Sequence, residues 1–263
     1  MSTYGDRGNI ICLTRRSEWR GIDVNLVSID QSTSDQRLRT IDLLFGGGAQ
    51  DREQEIVMRD LRKKKEAIKE RIESNMPALF VCGAPQLMGK YYEPAEGKRI
   101  EGLGIFDMVS KHPGPNASRL IGNTAAEVYW KNLKNPDNSV INHPYENEDP
   151  DSRPTGTFGF RENDGIIVGF ENHGGRTYLG ESAKPFAKVI KGYGNNGEDG
   201  TEGVVYKNAI GCYFHGPLLP KNPHIADWFI EKSLEVKYKK EVSLNPLGDE
   251  LEWKAHEAAL KKV

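Results

Sequence analysis

Covalent chemistry at neutral pH needs a nucleophile held in a tight turn and a base beside it, and few residues in this chain qualify. There are three cysteines, Cys12, Cys82 and Cys212, and six histidines. Cys12 lies within Asn9-Ile10-Ile11-Cys12-Leu13 and Cys212 stands between Gly211 and Tyr213. Both settings read as packing, because unpaired cysteine is among the most buried residue types. Cys82 differs. It ends the apolar run Pro77-Ala78-Leu79-Phe80-Val81 and opens Gly83-Ala84-Pro85-Gln86-Leu87-Met88-Gly89. A strand that turns sharply into a helix presents a nucleophile at an elbow, with backbone N–H groups nearby to receive an oxyanion. The local sequence leaves two readings open: an attacking thiol, or a buried cysteine.

An attacking cysteine needs an acid–base partner, usually histidine. His215 follows the strand-like Ala209-Ile210-Gly211-Cys212-Tyr213-Phe214 and precedes Gly216-Pro217. Strand C-termini are where α/β sheets gather their site residues. His173, in the more polar Phe170-Glu171-Asn172-His173-Gly174-Gly175-Arg176, is the other candidate. His112, His143, His224 and His256 read as surface residues. Gly46-Gly47-Gly48, just past an apolar run, is either an anion-holding loop or a plain turn. Gly192-Tyr193-Gly194-Asn195-Asn196-Gly197 has the spacing of a dinucleotide fingerprint, yet it leads into Glu198-Asp199-Gly200-Thr201 rather than an apolar helix, so that reading fails. No GxxxxGK[ST] loop occurs, which argues against ATP bound in this chain through a P-loop.

The elements that must position these residues alternate between strand and helix, the pattern of an α/β fold with a parallel sheet covered by helices. The spacing predicts strands at Asp23 to Ile29, within Thr40 to Phe45, at Pro77 to Val81, in Ile100 to Val109, at Leu120-Ile121, in Gly165 to Phe170 and in Gly203 to Phe214. From Asp51 the pattern is helical, with Val57, Leu61, Ile68 and Ile72 on one face. Asn222 as N-cap and Pro223 in the first turn predict another helix carrying Ile225, Phe229 and Leu234. Glu250 to Val263 reads as a polar helix that frays or docks on a partner. The stretch Asn132 to Asp164, rich in Asn, Pro, Asp and Glu, reads as an exposed loop insertion. With 263 residues, the chain is long enough for one large domain or two small ones.

A net charge of −2 argues against nucleic-acid binding, which rests on concentrated Lys and Arg. The run Arg62-Lys63-Lys64-Lys65 continues into alternating signs and reads as a solvated helix face. No apolar stretch approaches a membrane span and no signal peptide opens the chain. The odd, scattered cysteines show no CxxC or zinc spacing, so a cytoplasmic protein with neither disulfide nor metal is expected.

Several blocks together resemble one family. They are Phe45-Gly46-Gly47-Gly48 with Gln50-Asp51-Arg52-Glu53-Gln54, Cys82-Gly83 with Gln86-Leu87, and Arg119-Leu120-Ile121-Gly122. Gly169-Phe170-Glu171-Asn172-His173 with Gly175-Arg176-Thr177, Gly192 with Gly194-Asn195-Asn196, and His215-Gly216-Pro217 complete the set. The elbow alone resembles any class I glutamine amidotransferase. The Gly-Phe-Glu-Asn-His and Tyr-Gly-Asn-Asn blocks narrow the resemblance to the glutaminase subunit of lipid II isoglutaminyl synthase (GatD type), a relative of the CobB/CobQ-like amidotransferase domains.

That resemblance implies a three-layer flavodoxin-like fold with a mostly parallel sheet. It places one amidotransferase domain at 1–240, with the insertion at 132–164, and a helical tail at 241–263. It implies that Cys82 attacks the glutamine amide, that His215 is its acid–base, that backbone N–H groups of Gly83, Gly47 and Gly48 form the oxyanion hole, and that Arg119 and Gln86 bind substrate. The implied partner is a Mur-ligase-like synthetase of the MurT type, which would carry ATP and Mg and use the ammonia to amidate the D-glutamate of lipid II. No cofactor is expected in this chain. An amidotransferase serving another acceptor, such as a corrinoid precursor, and an inactive binding module on the same fold are the alternatives. The chain departs from the pattern at Pro217, where many class I members carry Glu, so a Cys–His dyad is expected. It departs again at Ala84 and Pro85 beyond the nucleophile, at Ala49 within the glycine block, and at its beginning, where either the start is mis-set or the family's first strand is absent.

Overall fold

The computed structural model describes residues 6–48, 51–133 and 165–263. Its helices are α1 (Arg7–Glu18), α2 (Asp35–Leu38), α3 (Asp51–Leu61), α4 (Lys65–Glu73), α5 (Gly83–Met88), α6 (Pro223–Tyr238) and α7 (Glu250–Leu260). Its strands run from β1 (Leu44–Gly46) and β2 (Ala78–Val81) through β3 (Tyr91–Glu93), β4 (Ile100–Glu101), β5 (Met108–Lys111) and β6 (Leu120–Val128). They continue with β7 (Ile166–His173), β8 (Arg176–Leu179), β9 (Ala187–Lys191), β10 (Thr201–Glu202), β11 (Val204–Tyr206) and β12 (Ala209–Cys212).

The sheet that positions the elbow has the order β1-β2-β12-β11. β2 pairs in parallel with β1 on one side and with β12 on the other, while β11 pairs antiparallel with β12. Every residue of β2 is buried, as expected of a central parallel strand covered on both faces. Alternation sends its side chains into two cores. Leu79 and Val81 join Leu13 of α1 and Ile225, Ala226 and Phe229 of α6, whereas Ala78 and Phe80 join Met58 of α3, Ile68 and Ile72 of α4 and Leu87 of α5. Helices therefore lie on both faces of a parallel sheet, giving three layers.

The other two sheets are built differently. β10-β9-β6-β7 is antiparallel throughout, and β4-β3-β5-β8 is parallel only between β3 and β5. Parallel pairing is thus concentrated around the elbow, and the second half of the chain adds hairpins against it.

Several expectations change in the structure. Asp23 to Ile29 is irregular, with Val24 and Leu26 exposed: alternation alone makes no strand, and among the described residues nothing pairs with it. The helical stretch after Asp51 is two helices broken at residues 62–64. Within the basic run, Lys64 is buried against Asp60, while its neighbours are solvated. Asn222 does not cap α6 with its side chain, which is turned to Val168 and Leu218 instead. In the tail, α7 packs on its own chain, against β7 and the turn at Leu219–Lys221. His224 and His256, expected at the surface, lie in that contact: His224 stacks on Trp253 at 5.4 Å between ring centres, and His256 is fully buried. Burial keeps His224 neutral, its pKa pushed down to about 3. The expected insertion from residue 134 onward, Ala49, Gln50, His143 and the first five residues lie outside the described residues. Among the described residues, no helix is long and apolar enough to cross a membrane.

Candidate active site

Cys82 follows β2 directly and adopts φ 58° and ψ −103°, the only residue between the strand and α5. A side chain held at positive φ outside helix or turn minima costs about 1–3 kcal/mol and persists only where its surroundings impose it. They do so here. The Cys82 N–H is bonded to the Cys212 carbonyl at 2.9 Å, continuing the parallel ladder, and all six residues of α5 are buried. The turn exists because β2 must end and α5 begin within one residue, and the cysteine carries the strain.

His215 comes to the elbow from the end of β12, the strand beside β2. A reciprocal backbone pair fixes it to β7: His215 N–H to Phe170 O at 2.6 Å, and Phe170 N–H to His215 O at 3.3 Å. Its ring is 1% exposed. Burial works against a charged ring, but contact with Asp6 and with Cys82, and their charge, pushes the pKa up to about 9. The imidazolium is therefore the form present at neutral pH. Gly48 completes the lip. A Cβ added there would lie in ordinary contact with both, 3.4 Å from Cys82 Cβ and 3.6 Å from His215 Cε1, so this loop stands directly beside the pair.

Two acids that the sequence reading did not single out flank this pair. Asp6, fully buried at the turn before α1, has Oδ1 3.7 Å from His215 Nδ1, and its Oδ2 accepts the Gly48 N–H at 2.5 Å. One of the three expected oxyanion donors is thereby committed to a carboxylate. Glu202, at the end of β10, accepts the Tyr213 N–H at 2.7 Å. Burial raises its pKa to about 8, so it is neutral at pH 7.

Next to the pair lies a second buried network, and it accounts for His173. Glu171 accepts N–H groups from Tyr193 (2.7 Å) and Gly194 (3.0 Å), so the glycine-rich 192–197 loop cradles a carboxylate of its own chain. His173 hydrogen-bonds the Gly175 carbonyl through Nδ1 at 2.8 Å and stacks on Tyr213 with ring centres 3.7 Å apart. Burial holds its pKa below the ordinary histidine value, against the pull of Glu171. His215, not His173, is the histidine brought to Cys82. Gln86 is placed in this interior as well: its Oε1 accepts from Gln54 at 3.1 Å and its Nε2 donates to the Tyr213 hydroxyl at 3.0 Å. The Tyr213 hydroxyl also meets Thr177, which meets Ser110. Gln86 is thus buried behind the elbow and held by these interior partners.

Arg119 stands at the start of β6, exposed, with Nε and Nη2 bonded to the Asn172 side chain and carbonyl at 2.8 and 2.9 Å. Neither bond uses Nη1. Arg176 braces the neighbouring loops through the carbonyls of Gly174 and Ser118. Among the described residues, no group of three or more His, Cys, Asp or Glu side chains is arranged to hold a metal ion.

A cysteine at a strand-to-helix elbow, a histidine from the adjacent parallel strand and helices on both faces together define a class of enzyme. Residues 1–223 match the CobB/CobQ-like glutamine amidotransferase domain, and the chain belongs to that family. Over 237 residues it is 39% identical to the lipid II isoglutaminyl synthase (glutamine-hydrolyzing) subunit GatD of Staphylococcus aureus, covering 90% of this chain and 82% of that one. The subunit of the same name from Streptococcus pneumoniae is 37% identical over 251 residues, covering 95% and 82%. Among solved structures, a glutamine amidotransferase superposes with a TM-score of 0.54 at 14% identity, over 89% of this chain and 96% of the other, a likeness of fold.

Proposed function

We propose that this chain is the glutaminase subunit of a lipid II isoglutaminyl synthase, hydrolysing L-glutamine to glutamate and ammonia at Cys82. The Cys82 thiolate attacks the side-chain carbonyl carbon of glutamine. The resulting oxyanion is received by the N–H groups of Gly83 and Gly47. As the tetrahedral centre collapses, the C–N bond breaks and His215 delivers its proton to the departing nitrogen, leaving a thioester and free ammonia. Water then attacks the thioester, His215 takes the proton, and glutamate leaves as the thiolate re-forms. Arg119 pairs with the substrate α-carboxylate, for which a planar guanidinium is suited. Ammonia passes to a Mur-ligase-like synthetase of the MurT type, where ATP and Mg act, and is joined to the D-glutamate α-carboxyl of lipid II to give D-isoglutamine.

The observation that carries this reading is the strained Cys82 elbow with the His215 ring buried beside it. Its test is glutamine hydrolysis, with the synthetase present, by wild type and by Cys82→Ala. We expect the variant to lose at least about a thousandfold in rate, as removal of a covalent nucleophile does. Equal rates would sink the reading. Mass analysis of lipid II incubated with both subunits, ATP and glutamine then tests the acceptor.

A further inference from the structure

A buried histidine that shuttles protons works in one ring orientation and one tautomer, and a partner at its second nitrogen sets both. The segment that carries His215 brings no acid, since Gly216, Pro217 and Leu218 follow it. The acid comes from the other end of the chain. Asp6 faces His215 Nδ1 at 3.7 Å through Oδ1, a charged contact somewhat longer than a full hydrogen bond. Its Oδ2 holds the Gly48 N–H at 2.5 Å, and the whole residue is inaccessible to solvent.

The surrounding contacts leave Asp6 little freedom. A Cβ on Gly8 would fall 2.4 Å from Pro217 Cγ, so the first turn of α1 rests directly on the segment after His215. One residue further, the buried Asn9 accepts the Leu219 N–H through Oδ1 at 2.9 Å. Asp6 against His215, Gly8 against Pro217 and Asn9 against Leu219 form three successive contacts between the same two segments. The charged or titratable groups acting on His215 include Asp6 from the α1 side, Cys82 from the elbow and Glu202 from β10, while Lys221 Nζ holds the neighbouring Gly216 carbonyl at 2.9 Å. Glu202 already uses Oε1 on the Tyr213 N–H, and Glu171 is committed to Tyr193 and Gly194. Asp6 has a buried oxygen turned to the ring.

We propose that Asp6 is the positioning residue of this site: Oδ1 orients His215 and keeps a proton on its Nδ1, while Oδ2 fixes Gly48 at the lip of the Cys82 elbow. One carboxylate thus aligns both the acid–base and the loop beside the nucleophile. The inference rests on the roles given above to Cys82 and His215.

The test uses the full-length chain with labelled histidine, the His215 ring being followed by NMR titration and assigned with His215→Gln. In Asp6→Asn the amide oxygen can still accept the Gly48 N–H, but the charge is gone. We expect the His215 midpoint to fall by about one pH unit or more, because an opposite charge this close favours the protonated ring. The pH dependence of Cys82 alkylation by iodoacetamide should move with it. For glutamine hydrolysis, kcat should fall about tenfold or more while KM changes less than about twofold, and Asp6→Glu should recover part of the loss. Asp6→Ala, which releases Gly48 as well, should lose more than Asp6→Asn. An unchanged midpoint in Asp6→Asn overturns the proposal, even if the variant melts earlier. Should Asp6→Asn not fold, the equally uncharged Asp6→Ala decides by the same midpoint. The titration does not depend on turnover, so a chain without Cys82-dependent hydrolysis would fail the glutaminase reading while the midpoint still decides the role of Asp6.

Discussion

Glu202 keeps its proton at neutral pH because its carboxyl is shut away from water, with Glu171 adding repulsion, and neither the Tyr213 N–H nor His215 compensates. A folded-state pKa near 8 against an ordinary 4.5 means that the folded chain binds a proton the unfolded one has released. Its contribution to stability is fully present below about pH 4.5 and is lost as pH rises through about 8. His215, raised from 6.5 to about 9, has the same sign: its contribution is whole below about 6.5 and gone above about 9. Glu202→Gln retains an oxygen for the Tyr213 N–H but cannot ionise. Melting curves across pH should therefore coincide near pH 4.5, and the variant should melt higher at pH 9. His215 titrates in both proteins and does not account for the difference. Coincident curves at pH 9 would show that Glu202 stays neutral there.

At the scale of elements, what holds the base is the edge of β7. Phe170 pairs with His215, and two residues earlier the buried backbone edge of Val168 is taken by Asn222, which accepts from its N–H at 2.9 Å and donates to its carbonyl at 2.8 Å. The same amide donates to the Leu218 carbonyl at 2.7 Å, on the turn leading from His215 into α6. One buried side chain thus does what an edge strand would do, and it ties β7 to the segment that carries the base. Asn222→Ala leaves buried N–H and C=O groups without partners, which costs about 2–4 kcal/mol. Urea unfolding should show that loss, together with reduced glutaminase turnover as His215 loses its support. A loss under about 0.5 kcal/mol would contradict this account of the clamp.

Over the whole molecule, the two ends of the chain are joined through Arg16. From α1 it forms paired hydrogen bonds to Asp227 of α6 at 2.7 Å and to Asp249, just before α7, at 2.5 and 2.8 Å, with its side chain only 2% exposed. Arg20 adds a second pair of bonds to Asp227 and one to the Asn245 carbonyl. Further along α7, Trp253 covers His224, and His256 bonds the Lys221 carbonyl. Since α1 also carries Asp6 at its start, the tail braces the helix that bears the acid. Arg16→Ala leaves two carboxylates partly buried without their main partner, which costs about 3–5 kcal/mol. Thermal melts should show a correspondingly large drop, and hydrogen exchange should show α7 opening first. Exchange in α7 as slow as in wild type would contradict this role of Arg16.

What the sequence determined by itself is what short-range pattern encodes. An apolar run ending in Cys82-Gly83 is a buried strand turning into a helix, and a histidine after Ala209–Phe214 is a side chain at a strand end. Both follow from spacing along a few residues, and the blocks around them carry the family. Tertiary structure decided the rest, because it depends on which segments meet. Asp6 carries no local mark of a site residue and gains its place only when α1 packs on Pro217. His224 and His256 look like surface residues until α7, which carries His256, packs against the start of α6. Asn222 looks like a helix cap until the free edge of β7 claims its amide. Asp23 to Ile29 alternates like a strand yet pairs with nothing among the described residues. Pattern specifies which face of a segment is apolar, whereas the partner that covers it, and the charge that comes with that partner, is settled by contacts between distant parts of the chain.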